Sequence, residues 1–199
     1  MTDVNALIER WRDGDERAAE TLYYHHREQT FRLAYGLLGD QADAEEAAQD
    51  ALNYALSNIK RYNPDRAAFS TWLHTITVSR CRDKQRVRRR FLGQFSLTAW
   101  LQGGGNAPDP GLSQEQQVLN TERCREVLAA VQQLSPALRE AIMLRYWAGH
   151  TYREMAGILG CPLPTAQSRV RLAYQRLRGT LDPGLLPEIR SLEDGGSHE

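Results

Sequence analysis

The stretch from Thr151 to Arg178 constrains the fold of this chain most, because it reads as two short helices joined by a tight turn. Thr151-Tyr152-Arg153-Glu154 has the form of a capping box, with a threonine oxygen for the free amides of a helix start and a glutamate three residues on to reach back. Tyr152, Met155, Ala156 and Leu159 then follow at helical spacing and give the helix one apolar face, and Gly160-Cys161-Pro162 stops it. A second helix starts near Pro164. At 100° per residue, Ala166, Val170, Ala173 and Leu177 share one side, whereas Gln167, Ser168, Arg171, Gln175 and Arg178 point the other way, with Thr165, Arg169 and Arg176 on a flank. A short helix, a turn and a second helix with a basic, hydrogen-bonding outer face suit the DNA major groove, where Arg and Gln bond base edges. A solvated Arg-rich helix in any bundle would look the same, so the remainder of the chain has to decide.

Composition leaves room for either outcome. The 199 residues are 41% hydrophobic and 25% charged, enough to bury a core. No apolar run approaches the roughly 20 residues of a membrane span, and Met1 to Arg12 lacks the basic start and apolar block of a signal peptide, so no membrane insertion and a cytoplasmic location are expected. Cys81, Cys124 and Cys161 have neither an even count nor C-x-x-C spacing, which points to reduced thiols.

A formal net charge of zero conceals a partition. Residues 1–59 carry five basic and twelve acidic side chains, whereas residues 60–90 carry ten and two, and a second basic excess of seven over two lies in residues 131–181. Two basic blocks separated by an acidic stretch suggest two nucleic-acid contacts and a further surface for a different partner.

The predicted architecture is all-α: two helical domains joined by a flexible linker, the C-terminal one containing the helix-turn-helix. Leu22, Phe31, Leu33, Ala34, Leu37 and Leu38 recur at helical spacing in the N-terminal part, with breaks at Gly39-Asp40 and Asn63-Pro64-Asp65. Gly103 to Gly111 cannot hold regular structure. The expected divisions are an N-terminal domain over 1–90, a linker over 91–114, a second domain over 115–181 with Ser135 and Pro136 opening one of its helices, and a disordered acidic tail over 182–199.

Three stretches in order carry a family resemblance: Asp43-Ala44-Glu45-Glu46-Ala47-Ala48-Gln49-Asp50-Ala51-Leu52, then Phe69-Ser70-Thr71-Trp72-Leu73-His74-Thr75-Ile76 running into an Arg-rich helix, then the helix-turn-helix. Together they resemble the bacterial sigma-70 family of RNA polymerase sigma factors, specifically its extracytoplasmic-function group, over roughly residues 5–90 and 115–181. The resemblance implies a sigma subunit that binds bacterial core RNA polymerase, recognises −10 and −35 promoter DNA and helps open the duplex. It also implies a partner that restrains it, an anti-sigma factor. No cofactor, metal or catalytic residue is expected.

Residue by residue, the first stretch places Asp43, Glu46 and Asp50 on one helical face with Gln49 beside them, and Ala44, Ala47, Ala48, Ala51 and Ala55 on the packing side. By resemblance Asp43, Glu46, Gln49 and Asp50 are the polymerase-binding candidates. Lys60, Arg61, Tyr62 and Arg66 form a basic loop with an aromatic, a surface type that holds a splayed base, and with Arg80, Lys84, Arg86 and Arg88 they make up the −10 set. Phe69 and Trp72 read as core aromatics. Ser79 stands where the family has an asparagine, and Pro164 and Gln167 replace a usual glycine and basic residue. The −35 set is Thr165, Gln167, Ser168, Arg169, Arg171, Gln175 and Arg176. The linker departs from the acidic family pattern, and its apolar Phe91, Phe95, Leu97, Trp100 and Leu101 are candidates to dock on the N-terminal domain.

Two other readings start from the same residues. A dimeric helix-turn-helix regulator would bind a palindromic duplex without polymerase. A metal-dependent nuclease would need ligands that the local spacing does not supply: His25 and His26 point about 100° apart on a helix, as surface or boundary residues, and His74 and His150 have no metal-ligand partners nearby in sequence.

Overall fold

Short carboxylate side chains open the first three helices of the chain. In the computed structural model, which describes residues 3–92 and 114–181, Asp3 accepts the Asn5 and Ala6 amides at the start of α1 (Val4–Arg12). Asp15 does the same for Arg17 and Ala18 in α2 (Glu16–Leu38), and Asp40 for Asp43 in α3 (Gln41–Ser57). Gly39 ends α2 at φ 70°, a left-handed cap that lets the chain reverse into α3 almost at once. A 3-10 turn (Ile59–Arg61) leads to α4 (Phe69–Leu92). Ala44, Ala47, Ala48, Ala51 and Ala55 are all buried, and with Leu52 the one larger side chain among the buried residues of α3 the helix packs closely on both α2 and α4.

The C-terminal helices are α5 (Gln114–Gln133), α6 (Pro136–Ile142), α7 (Tyr152–Leu159) and α8 (Leu163–Arg178). Pro136 occupies the first turn of α6, where its missing amide has no consequence, and Ser135 caps through position without a side-chain bond. A π-helical turn over Met143–Trp147 extends α6, and Gly149 at φ 71° then bends the chain so that His150 turns inward. Every regular element among the described residues is helical. Residues 93–113 and 182–199, where the linker and tail readings fall, lie outside the described residues, and α4 continues two residues beyond the expected end of its domain.

Two apolar clusters make the core. One is confined to the N-terminal helices and gathers Ile8, Leu22, Leu52, Ile59, Tyr62, Phe69 and Leu73. The other starts with Leu33, Leu37, Ala47, Val78 and Cys81 and continues without a break into Val131, Leu144, Met155, Val170 and Leu177. The N- and C-terminal helices therefore share a core along a seam. At Gly36 of α2 an added Cβ would overlap the flexible end of the Met143 side chain, which would have to swing aside, so helix and side chain meet closely at the seam. The last carbonyls of α2 are satisfied across it: Gln132 Nε2 donates to Gly36 O at 2.8 Å, and Arg139 Nη1 donates to Leu37 O at 2.8 Å.

His26 corrects one expectation. It is buried against Phe69, with ring centroids 5.0 Å apart, and burial pushes its pKa down to about 4, whereas His25 next to it is exposed.

Candidate nucleic-acid and protein interfaces

The capping box at Thr151 is formed in both directions. Thr151 Oγ1 accepts the Glu154 amide at 3.3 Å, and Glu154 Oε2 accepts the Thr151 amide at 2.8 Å. Gly160 closes α7 at φ 64°, and α8 begins one residue before Pro164, after Pro162. Ala166, Val170, Ala173 and Leu177 face the core, while Gln167, Arg171, Gln175 and Arg176 are exposed. Thr165, Ser168 and Arg169 are half-buried, and the Ser168 hydroxyl donates to Thr165 O at 3.0 Å. This leaves a row of amide and guanidinium groups on the outer side of a helix whose inner side is buried, a geometry that can enter a groove and hydrogen-bond base edges and phosphates.

On α3, Glu46, Gln49 and Asp50 are exposed and Asp43 is half-buried. Lys84 of α4 is paired with Glu46 and lies 3.7 Å from Asp43, and the Glu46 contact raises the lysine pKa. Lys84, a member of the expected −10 set, thus lies against the acidic face, because α3 and α4 pack side by side. Gln49 and Asp50 remain a free-facing polar pair on the same helix.

The basic loop divides. Lys60, Arg61 and Arg66 are exposed, whereas Tyr62 is buried in a cluster with Phe69 and Trp72 at centroid distances of 5.4 and 5.5 Å. Its hydroxyl donates to Ala67 O at 3.1 Å, and burial raises its pKa. As it stands the ring is part of the N-terminal core. Phe69 is buried as expected, and Trp72 is half-buried beside it.

Along α4 the arginines have separate fates. Arg80 lies over the Tyr54 ring, 5.0 Å from its centroid. Arg82 is held by Glu140 across the seam, Arg86 pairs with Asp83 at 2.8 Å while staying exposed, and Arg88 is half-buried. Arg86, Arg89 and Arg90 from α4 and Arg169 from α8 line one open cleft of about 590 Å³, so the basic ends of the two halves face each other. That convergence was illegible in the sequence, since Arg90 and Arg169 are 79 positions apart.

A second feature escaped the sequence reading. His74 Nδ1 and His150 Nε2 meet at 2.7 Å in the buried seam, and Thr71 Oγ1 donates to Glu154 Oε1 at 3.3 Å beside them. No local spacing announces a pair 76 residues apart. No group of three or more metal-ligating side chains occurs among the described residues, and no helix there is long and apolar enough to cross a membrane.

Residues 22–91 match the family model for Sigma-70 region 2, and residues 124–177 match that for Sigma-70, region 4. The ECF RNA polymerase sigma factor RpoE of Cereibacter sphaeroides is 33% identical over 180 residues, covering 89% of this chain and 94% of that protein. The RNA polymerase sigma-H factor of Pseudomonas aeruginosa is 29% identical over 188 residues, covering 92% and 94%. The ECF RNA polymerase sigma factor SigE of Mycolicibacterium smegmatis is 32% identical over 171 residues, or 84% of this chain, which spans 64% of that relative's length. Among solved structures, the sigma factor RpoE from Bartonella quintana, determined with the anti-sigma factor NepR, aligns with a TM-score of 0.65 at 25% identity, covering 86% of this chain and 98% of that one. CnrH, determined with the cytosolic domain of CnrY, shares the fold at a TM-score of 0.61 and 22% identity, covering 87% and 94%.

Proposed function

The chain belongs to the sigma-70 family, in its extracytoplasmic-function group, and from that premise we propose that it directs core bacterial RNA polymerase to specific promoters and helps to open them. The observation that carries this reading is the pairing of two outward faces of opposite character on one chain: the acidic α3 face in the region 2 match and the Arg- and Gln-bearing α8 face in the region 4 match. Glu46, Gln49 and Asp50 dock on the polymerase, with Asp43 positioned behind them by Lys84. Gln167, Arg171, Gln175 and Arg176 address the −35 duplex, with Thr165, Ser168 and Arg169 at the protein-facing edge of the helix. Lys60, Arg61, Arg66, Arg86 and Arg88, near α4 and its preceding loop, neutralise phosphates of the −10 strand. The chain acts as a binding subunit and contributes no chemical step of its own. An anti-sigma protein is a fitting partner, by analogy with the complex of the Bartonella quintana relative.

The test is reconstitution. The purified chain, core bacterial RNA polymerase and genomic promoter fragments should together give transcripts with defined start sites, and omission of either protein should abolish them. Tight binding of the isolated chain to a palindromic duplex, with no effect on polymerase, would instead identify a dimeric regulator.

A further inference from the structure

Packed as described, the two halves cannot reach both promoter elements at once. Elements centred near −35 and −10 lie about 25 base pairs apart, roughly 80 Å at 3.4 Å per pair, whereas Arg90 of α4 and Arg169 of α8 line the same cleft. The seam has to open before promoter binding, so whatever holds it shut controls the protein.

The seam contains one contact with the chemistry of a switch. His74 and His150 are each 5% exposed and meet edge to face, with Nδ1 to Nε2 at 2.7 Å. At that distance two neutral imidazoles share one hydrogen, with one ring donating and the other accepting. Around them stand Glu154 of α7, whose carboxylate is 3.7 Å from His150 Nδ1, and Arg145, which donates to the His150 carbonyl at 2.9 Å. His26 of α2 bears on His74 from within the N-terminal half. Glu154 offers some compensation to a proton on His150. His74, by contrast, has two other imidazoles as its titratable neighbours.

We propose that the His74–His150 contact is an acid-sensitive latch: at neutral pH it holds the C-terminal helices on the N-terminal ones, and acidification releases them. In the closed chain burial disfavours the imidazolium form, driving the pKa of His74 down to about 3 and lowering that of His150 against the opposing pull of Glu154. Separation removes the cover that each half places over the other's ring and moves both pKa values up toward 6.5. The separated form therefore takes up protons that the closed form refuses, and the latch is at full strength above pH about 6.5 and weakens as pH falls below it. For His74 alone the closed-to-open ratio should drop by up to about 25-fold between pH 7 and pH 5, with His150 adding to it. The consequence for promoter binding rests on the function proposed above, but the latch itself does not.

Spin labels at Glu45→Cys on α3 and Gln175→Cys on α8, in a full chain carrying Cys124→Ser and Cys161→Ser, report the distance between halves. Double electron–electron resonance should show one short distance at pH 7.5 and a growing longer population from pH 6.5 to 5, with unchanged far-UV circular dichroism. A His74→Gln/His150→Gln chain, whose amides can still donate and accept across the seam, should stay closed throughout that range. His26→Gln should retain the acid response. A constant distance down to pH 5, an equal response in the double glutamine chain, or opening that coincides with loss of helicity would overturn the latch. Should the double variant not close at pH 7.5, the imidazole proton resonances of the unmodified chain decide: titration of both rings near pH 6.5 while the halves remain together would refute it.

Discussion

Glu140 of α6 accepts both arms of the Arg82 guanidinium of α4, at 2.8 and 2.7 Å, so a single bidentate ion pair ties the two halves of the chain beside their shared core. The Glu140 side chain is only 7% exposed and Arg82 42%. Arg82→Ala would leave a buried carboxylate without its counter-charge, at a cost on the order of 2–3 kcal/mol. We expect a lower thermal midpoint and a larger open population, read by the interdomain distance. Arg82→Met/Glu140→Leu should recover most of the loss, because an apolar pair of similar size avoids desolvating the charges.

Gly36→Ala should gain little of the roughly 1 kcal/mol by which alanine is the better helix former, because the Met143 side chain has to swing aside. Its Cβ would overlap Met143, which must then move or the helices part. Met143→Ala in the same chain should remove the overlap, and a double-mutant cycle on thermal stability would reveal the coupling as non-additivity. Additive effects would show that the two residues do not meet.

Charge reversal on α3 should weaken polymerase binding with unchanged helicity. The cleanest variant is Asp50→Lys with Gln49→Lys, since both side chains are exposed and, unlike Asp43 and Glu46, form no ion pair with the described residues of α4. Reversing Asp43 or Glu46 also places like charge against Lys84, and a small loss of stability should accompany that change. Polymerase affinity of the folded variants, measured by competition, is the readout.

Arg171→Ala should cost about 1–3 kcal/mol at the −35 element and relax the preference for one base pair there. Binding of holoenzyme to a promoter set varied at each −35 position distinguishes this from a phosphate contact, for which every sequence loses affinity equally.

Tyr62→Phe should cost about 1 kcal/mol through the lost bond to Ala67 O, while leaving promoter melting intact. Tyr62→Ala should destabilise the N-terminal core by about 3–5 kcal/mol. A melting defect in the folded Tyr62→Phe chain would instead return the hydroxyl to the DNA interface.

What the linear chain determined by itself was everything governed by short-range chemistry. The caps at Asp15, Asp40 and Thr151, the stop at Gly160, the alanine face of α3 and the outward row on α8 are each set by residues within one or two turns, where backbone hydrogen bonding and helical period leave little choice. The acidic and basic faces were legible for the same reason.

Tertiary structure alone decided which charged and aromatic groups remain available and which are consumed by packing. Lys84 reads as one more cation in a basic run until α3 arrives beside it with Glu46, and Tyr62 reads as a loop aromatic until Phe69 and Trp72 close over it. The Arg82–Glu140 and His74–His150 pairs join residues 58 and 76 positions apart. Such contacts are created by the burial of a shared core, a non-directional force that brings together whatever side chains the helix faces carry. Periodicity predicts that a face is buried, but which partner covers it, and hence which polar groups meet there, depends on how the helices pack.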